Sequence, residues 1–347
     1  MRFATVSAAF YVGVDLHART MYVCVLDREG NTRLARNLPA TPEAFLAAMQ
    51  PFRPDLVVGC ECMHCWYWLA DLCAAEKLPF VLGHAFALKA VHQNKTKSDA
   101  HDAATLAHLL RGGNFPPAYA YPQERRSLRD LLRTRLRFVR HRADLYRHVH
   151  TALRQQNLPP VSSDVKYKCH RAAIPDTIPD AHVRRSVQAD LELLDPLDTL
   201  IRHLERDLEV AAQEHYGPEL ALLQSIPGVG LILALTVLLE TDTIHRFDTR
   251  QQFCSYARLI TPPQESGGKT VGTGCRKAGN AWLKWAFSEA AVLSAQKEER
   301  IGAYLAKLKS KHGPGKALGI LAHKLGRTMY HLLKRKTVFD LDRFLRH

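Results

Sequence analysis

Two apolar runs that each stop on an acid constrain this chain more than any other feature. In "FYVGVDL" the run meets Asp15, and in "PDLVVGCE" it meets Glu61. Both have the length and the valine content of a buried strand bounded by turn signals. A carboxylate at the end of such a strand stands at the rim of a sheet, where it has no stabilising role of its own. Around them, residues 9–84 read as short strands in "MYVCVLD", "RLARNL" and "PFVLGH", with a turn at "REGN" and helical spacing in "WYWLADLCAAEK". The expectation for residues 1–123 is a mixed-sheet α/β domain.

A second pair of acids follows in "NKTKSDAHDAATLAHLL", residues 94–110, where Asp99 and Asp102 lie three apart at the mouth of a helix and project side by side. Four carboxylates brought together repel one another unless cations neutralise them, and hard oxygen ligands suit Mg²⁺ or Mn²⁺. The chemistry of such a site is phosphoryl transfer. The plainer alternative is that Asp99 caps the helix and Asp102 favours its dipole. Lys95 and Lys97, just before the acids, are placed to hold a phosphate backbone against the metal.

The rest of the chain is helical and basic. Its 347 residues suffice for roughly two or three domains. The 48 Lys and Arg against 34 Asp and Glu give a net charge of +14, which favours a polyanionic partner such as nucleic acid. Arginines crowd residues 124–156, and an apolar stripe at 128, 131, 132, 136, 139, 145, 149 and 153 marks a buried helix face. Arg133, Arg137 and Arg140 are candidates for backbone contact. After a proline-bearing polar segment, "DLELLDPLDTLIRHLERDLEVAAQE" resumes as a second long helix, so residues 124–216 suggest an antiparallel coiled coil. A helix-rich domain is expected from 217 to 347. The longest apolar run, "LILALTVLLE", is half of the ~20 residues that span a bilayer. With no signal-peptide pattern before Asp15, the expected compartment is the cytosol. The eight cysteines do not form a secreted disulfide framework and are expected to be reduced.

Three smaller features remain. In "QESGGKT", Ser266 precedes Gly267, Gly268 and Lys269, a stretch that a phosphate can approach closely and that is also common in plain flexible loops. "IPGVG" places Gly228 and Gly230 in a hairpin between helices, either a phosphate-holding element or a tight turn. Cys60, Cys62, His64 and Cys65 lie close in sequence, but no second pair follows at zinc-finger spacing, so they read as buried thiols at a strand end. "WYW" at 66–68 packs a helix on the sheet.

Strand-Asp, strand-Glu, then Asp-x-x-Asp on a helix resembles the DEDD insertion-sequence transposases, the bridge recombinase family, with their RuvC-like, ribonuclease H-type fold. "GVDLH", "CE" and "KSDAHDA" match that family's motifs in order and spacing. "SIPGVG", "FDTRQQFCSYARLITPPQESGGKT" and "CRKAGNAWLKWAFSEAA" are similar to its second, transposase domain, where Arg276 and Lys277 add basic candidates for nucleic-acid contact. The resemblance implies Mg²⁺ on Asp15, Glu61, Asp99 and Asp102, and Ser266 as a nucleophile that joins DNA through a phosphoserine link. Where relatives carry a second hydroxyl residue, this chain has Glu265. The resemblance further implies a tetramer acting on donor and target DNA chosen by a structured guide RNA. The rivals are a hydrolytic junction nuclease using the same acids with water, and a non-catalytic nucleic-acid scaffold.

Overall fold

The computed structural model describes residues 3–91, 98–159, 163–261, 263–274 and 278–346. They form two compact units, Met1–Gln123 and Glu124–His347. Among the described residues, no helix is long and apolar enough to cross a membrane.

The first unit is built on five strands, β1 (Phe10–Leu16), β2 (Thr20–Asp27), β3 (Thr32–Pro39), β4 (Leu56–Glu61) and β5 (Phe80–Gly83). Its helices are α1 (Pro42–Met49), α2 (Trp66–Ala75), α3 (Ala85–Val91) and α4 (Asp99–Arg111). The sheet order is β3-β2-β1-β4-β5, antiparallel from β3 to β1 and parallel from β1 to β5. This mixed α/β architecture is consistent with the ribonuclease H-type fold that the motifs imply. The central strands are covered on both faces, which is why they read as continuous apolar runs. Val12, Val14, Val58 and Cys60 pack with Phe45 and Met49 of α1 and Trp66 and Leu69 of α2. On the other face, Tyr11 and Val57 pack with Leu106 and Leu110 of α4. The period of two therefore assigns Gly13 and Asp15, and likewise Gly59 and Glu61, to the side of α4.

Two glycines set how closely α4 approaches. Gly13 and Gly59 are register partners on β1 and β4. A Cβ at Gly13 would collide with the Ala103 carbonyl oxygen and the Ala107 amide of α4, and one at Gly59 would collide with Leu110. At Gly13 backbone therefore rests on backbone, a contact only glycine permits, while Gly59 makes room for the Leu110 side chain. Ser98 caps α4, its hydroxyl accepting the His101 N–H at 3.3 Å. Asp99, the alternative candidate for that cap, is thereby left as the first helical residue.

The second unit opens with α5 (Gln123–Gln155), followed by a short α6 (Lys168–Arg171) and then α7 (Ala181–Gln224). Ion pairs join α5 to α7 at Arg135–Glu205 and Arg142–Asp198, and a side-chain contact joins them at His148–Asp190. As the number rises along α5 it falls along α7, so the two helices run antiparallel. Pro196 and Pro218 lie inside α7. Beyond it come α8 (Leu231–Thr241), α9 (Arg250–Tyr256), a hairpin of β6 (Pro263–Ser266) and β7 (Lys269–Thr273), then α10 (Ala281–Lys297), α11 (Glu299–His312), α12 (Pro314–Arg335) and α13 (Leu341–Arg346). One core runs through Leu132 and Leu136 of α5, Leu208 and Ala212 of α7, Leu235 of α8, Phe287 of α10 and Leu325 of α12. A separate, smaller core of Val149, Leu153, Ile174, Val187 and Leu194 closes the far end of the helix pair.

The glycine contact yields a test. Gly13→Ala should lower stability by about 1–3 kcal/mol, the usual cost of overpacking. Gly319→Ala on α12, where a Cβ meets nothing within 4 Å, should be neutral or stabilising by up to about 1 kcal/mol. Denaturant midpoints of the two variants decide it, and equal midpoints would remove the role given to Gly13.

Candidate metal centre and serine hairpin

Asp15 and Glu61 lie at the ends of neighbouring parallel strands, each still paired on its other side, with Tyr22 and Gly83. The last paired rung is Val14 with Cys60, so the two acids occupy the next step at the same end of β1 and β4. The first turn of α4, which carries Asp99 and Asp102, covers this face. The Asp15 carboxylate is well enclosed, its side chain 14% exposed, whereas Asp99 is 54% exposed. Burial raises the Asp15 pKa; His17 works against that rise, and the charges of Asp99 and Asp102 add to it. Cys60 is buried and its thiol pKa is pushed well up, first by burial and then by Cys65, Asp15, Glu61 and Cys62. Asp15 and Glu61 thus share the electrostatic surroundings of one thiol.

The residue that sequence reasoning passed over is His17. Its Nε2 lies 3.3 Å from Oδ2 of Asp15 and 3.6 Å from Oδ1 of Asp99. One ligand atom from each of Asp15, His17 and Asp99 lies within 4.8 Å of the others. Neighbouring donors on an octahedral ion with bonds of 2.0–2.1 Å stand about 3 Å apart, so these spacings need only small adjustments. Two carboxylates and an imidazole converging from a strand end and a helix start fit a divalent cation. Asp102 and Glu61 fall outside this tight group. The thiols are divided: Cys60 is buried, Cys65 is partly buried with its Sγ donating to the Leu16 carbonyl at 3.1 Å, and Cys62 is exposed. The expectation of uniformly buried thiols fails for Cys62, because the chain has already left the sheet there. Trp66 is buried against the sheet as expected.

Comparison with known proteins places these residues. A DEDD-type transposase family model matches residues 12–157, and the model described as "Transposase IS116/IS110/IS902 family" matches 220–306. The chain is similar, at 22% identity over 94% of its length and 90% of the relative's, to the transposase for insertion sequence element IS1111A of Coxiella burnetii. It is also similar, at 24% identity over 57% of its length and 48% of the relative's, to the putative transposase y4qE of Sinorhizobium fredii. The chain belongs to the DEDD-type insertion-sequence transposases. It is therefore a DNA transposase, and DNA is its partner. The first matched span contains all four candidate carboxylates, and the second contains Ser266.

In this transposase, Ser266 lies on a hairpin of the second unit. It pairs with Lys269 across a two-residue turn whose Gly267 and Gly268 have φ of +56° and +74°. Positive φ at both central positions is the requirement of a type I′ turn, and it explains the glycines. A Cβ at either would meet nothing within 4 Å, and β6 is exposed along its whole length. The serine hydroxyl is open to approach. Gly228, at φ +83°, has a different reason, since a Cβ there would strike the backbone of Leu293 and Ser294 on α10. The "IPGVG" turn is thus fixed by packing at Gly228, while Gly230 caps the start of α8 in open space.

Several arginines of α5 prove more internal than their number suggested, whereas Arg137 and Arg140 remain exposed. Arg133 grips Glu240 with two hydrogen bonds of 2.6 and 2.7 Å, and Glu240, 1% exposed, also accepts from Asn280 at 2.7 Å. Arg140 lies 4.4 Å over the ring of Trp282, and Arg137 lies 5.3 Å over that of Phe138. The candidates Lys95, Lys97, Arg276 and Lys277 fall outside the described residues.

Two outcomes follow from these placements. Because the Asp15 pKa is raised, its ionised form opposes folding of the metal-free protein: stability is greatest below the ordinary carboxylate range and is lost as pH rises through the raised value. Asp15→Asn should therefore raise the thermal midpoint of the metal-free protein at neutral pH, with the advantage vanishing in acid. A lower midpoint at neutral pH would contradict this. Arg133→Gln, by leaving the Glu240 carboxylate buried without its main partner, should cost about 3–5 kcal/mol in thermal or chemical unfolding.

Proposed function

We propose that this transposase cuts and rejoins DNA through a covalent phosphoserine intermediate on Ser266, with Asp15, Glu61, Asp99 and Asp102 as ligands of Mg²⁺, for which Mn²⁺ can substitute. The observation that carries the reading is the convergence of Asp15 and Asp99 from a strand end and a helix start, within the span matched to the DEDD family. When bound, the ion would stabilise charge on the phosphate under attack. Asp15, enclosed and fixed by the sheet, anchors the site, and the exposed Asp99 completes it from α4. Ser266 is a weak nucleophile until a base takes its proton. In the proposed step, its Oγ bonds to phosphorus and the hydroxyl proton passes to a carboxylate of the acidic group. A bridging P–O bond breaks, and that proton is returned to the displaced sugar oxygen. Attack by a DNA hydroxyl on the phosphoserine reverses the sequence and rejoins a strand.

The finer parts of the reading rest on the motif resemblance. They are a structured guide RNA that selects donor and target DNA, and a tetramer in which one copy's serine serves another copy's carboxylates. Arg137, Arg140, Gly230, Gly267, Gly268 and Lys269 are proposed backbone contacts, together with Lys95, Lys97, Arg276 and Lys277. Arg133 and Gly228 act in support, through the packing already described.

The deciding experiment traps the reaction on a nicked substrate and digests the protein. A peptide containing "QESGGK" should carry a nucleotide on Ser266. Ser266→Ala should give neither adduct nor cleavage, and Asp102→Asn should bind nucleic acid without cutting it. Free ends, no adduct in the parent protein and robust cutting by Ser266→Ala would replace the recombinase with a hydrolytic nuclease.

A further inference from the structure

His17 belongs to no part of the four-acid motif, yet it is the residue that ties Asp15 to Asp99. Its placement is built into the fold. β1 ends at Leu16, and the backbone N–H of His17 donates to the Thr20 carbonyl at 2.9 Å, closing the turn into β2. That bond fixes the backbone two residues beyond Asp15, so the alternation of the strand brings both side chains to the face covered by α4. The His17 side chain is 47% exposed, so burial does not dictate its rotamer. Nevertheless, its Nε2 sits between the two carboxylates rather than out in water, at 3.3 and 3.6 Å from their nearest oxygens.

We infer that His17 is a direct nitrogen ligand of the catalytic ion, and that it tilts the site's preference from Mg²⁺ toward first-row transition ions such as Mn²⁺. The inference rests on the proposed role of Asp15 and Asp99 as ligands. The argument is one of donor chemistry. Four carboxylates alone form an all-oxygen site of the kind that suits Mg²⁺, whereas imidazole is a poor partner for Mg²⁺ and a good one for transition ions. The competing role for the same ring is that of a protonated counter-charge holding the two acids together. The two roles predict opposite behaviour when an ion arrives: a ligand coordinates it, and a cation is displaced by it.

Pulsed electron paramagnetic resonance of Mn²⁺ bound to the full-length protein separates them without reference to activity. A ligating His17 produces a ¹⁴N coupling to the bound Mn²⁺ that disappears in His17→Asn, which offers an oxygen in place of the ring. In parallel titrations, His17→Asn should weaken Mn²⁺ binding by about ten- to a hundredfold while changing Mg²⁺ binding by only about two- or threefold. A nitrogen coupling that survives in His17→Asn would assign the ligand to another histidine, such as His101 or His64, and overturn the inference. So would Mn²⁺ bound without any nitrogen coupling, or an unchanged ratio of Mn²⁺ to Mg²⁺ affinity. Asp15→Asn is the separate check. If it binds Mn²⁺ as tightly as the parent, the carboxylate site itself is wrong; if it loses the ion while the parent shows no nitrogen coupling, only the role of His17 fails.

Discussion

The seating of α4 on Gly13 and Gly59 is the contact on which the candidate site depends. A helix laid over a sheet ordinarily stands off by the depth of two layers of side chains, roughly 10 Å between axes and sheet. Here one of those layers is missing beneath Ala103 and Ala107, and the helix N-terminus comes down to the rim where Asp15 emerges. The same alternation that turns each glycine toward α4 turns the acid two residues later in that direction as well. Close packing and the acidic group are therefore one feature of β1 and β4 seen at successive positions. That packing encloses Asp15, whose pKa is raised first by burial and then, in smaller part, by the charges of Asp99 and Asp102.

In the second unit, ionic chemistry serves the interior. Glu240, at the end of the apolar helix α8, is satisfied by Arg133 and Asn280; Asp242, 2% exposed, is satisfied by Arg125 at 2.5 Å. Buried pairs of this kind add little to stability relative to apolar packing, but they penalise any arrangement that separates the partners. Arg135 and Arg142, in partly exposed pairs with Glu205 and Asp198, place the same chemistry along α7, where it favours one register. The net charge of +14 remains a fair guide to a polyanionic partner. Individual arginines are poor guides to where that partner lies.

Much of this was legible in the sequence, for reasons that differ between elements. β1, β2 and β4 announced themselves because burial on both faces leaves continuous apolar runs, and the acids stood out by ending the runs of β1 and β4, whereas the exposed edge strand β3 was marked by the turn before it. α1 and α3 are short helices with no long periodic stripe, and the sequence reading passed over them. The β6–β7 hairpin was taken for a loop because "PQES" has no apolar alternation; its turn glycines were the signal. His17 was quoted within "GVDLH" and overlooked, since a histidine one residue past a strand has no pattern of its own. Its spacing of two from Asp15 was the available clue. The partner of Arg133 lies 107 residues away, a separation that no local pattern reveals.

The two prolines inside α7 have a mechanical consequence. Each lacks an N–H, so the carbonyls of Glu192 and Glu214, four residues earlier, have no helical donor, and the rod resists bending least at those points. Pro196 lies just beyond the small core around Leu194, and Pro218 falls between Tyr216 and Leu220 of the main core. The latter weak point is clamped by packing on either side. The former is clasped by charge instead: the buried Arg171 donates to Asp195 and to Asp198, one on either side of it, at 2.7 Å each, and Arg142 also holds Asp198. A 44-residue helix thus carries a brace of side chains at each break in its backbone ladder, apolar at one proline and ionic at the other, so that loosening the ionic brace is the change to which the far end of the helix pair is most sensitive.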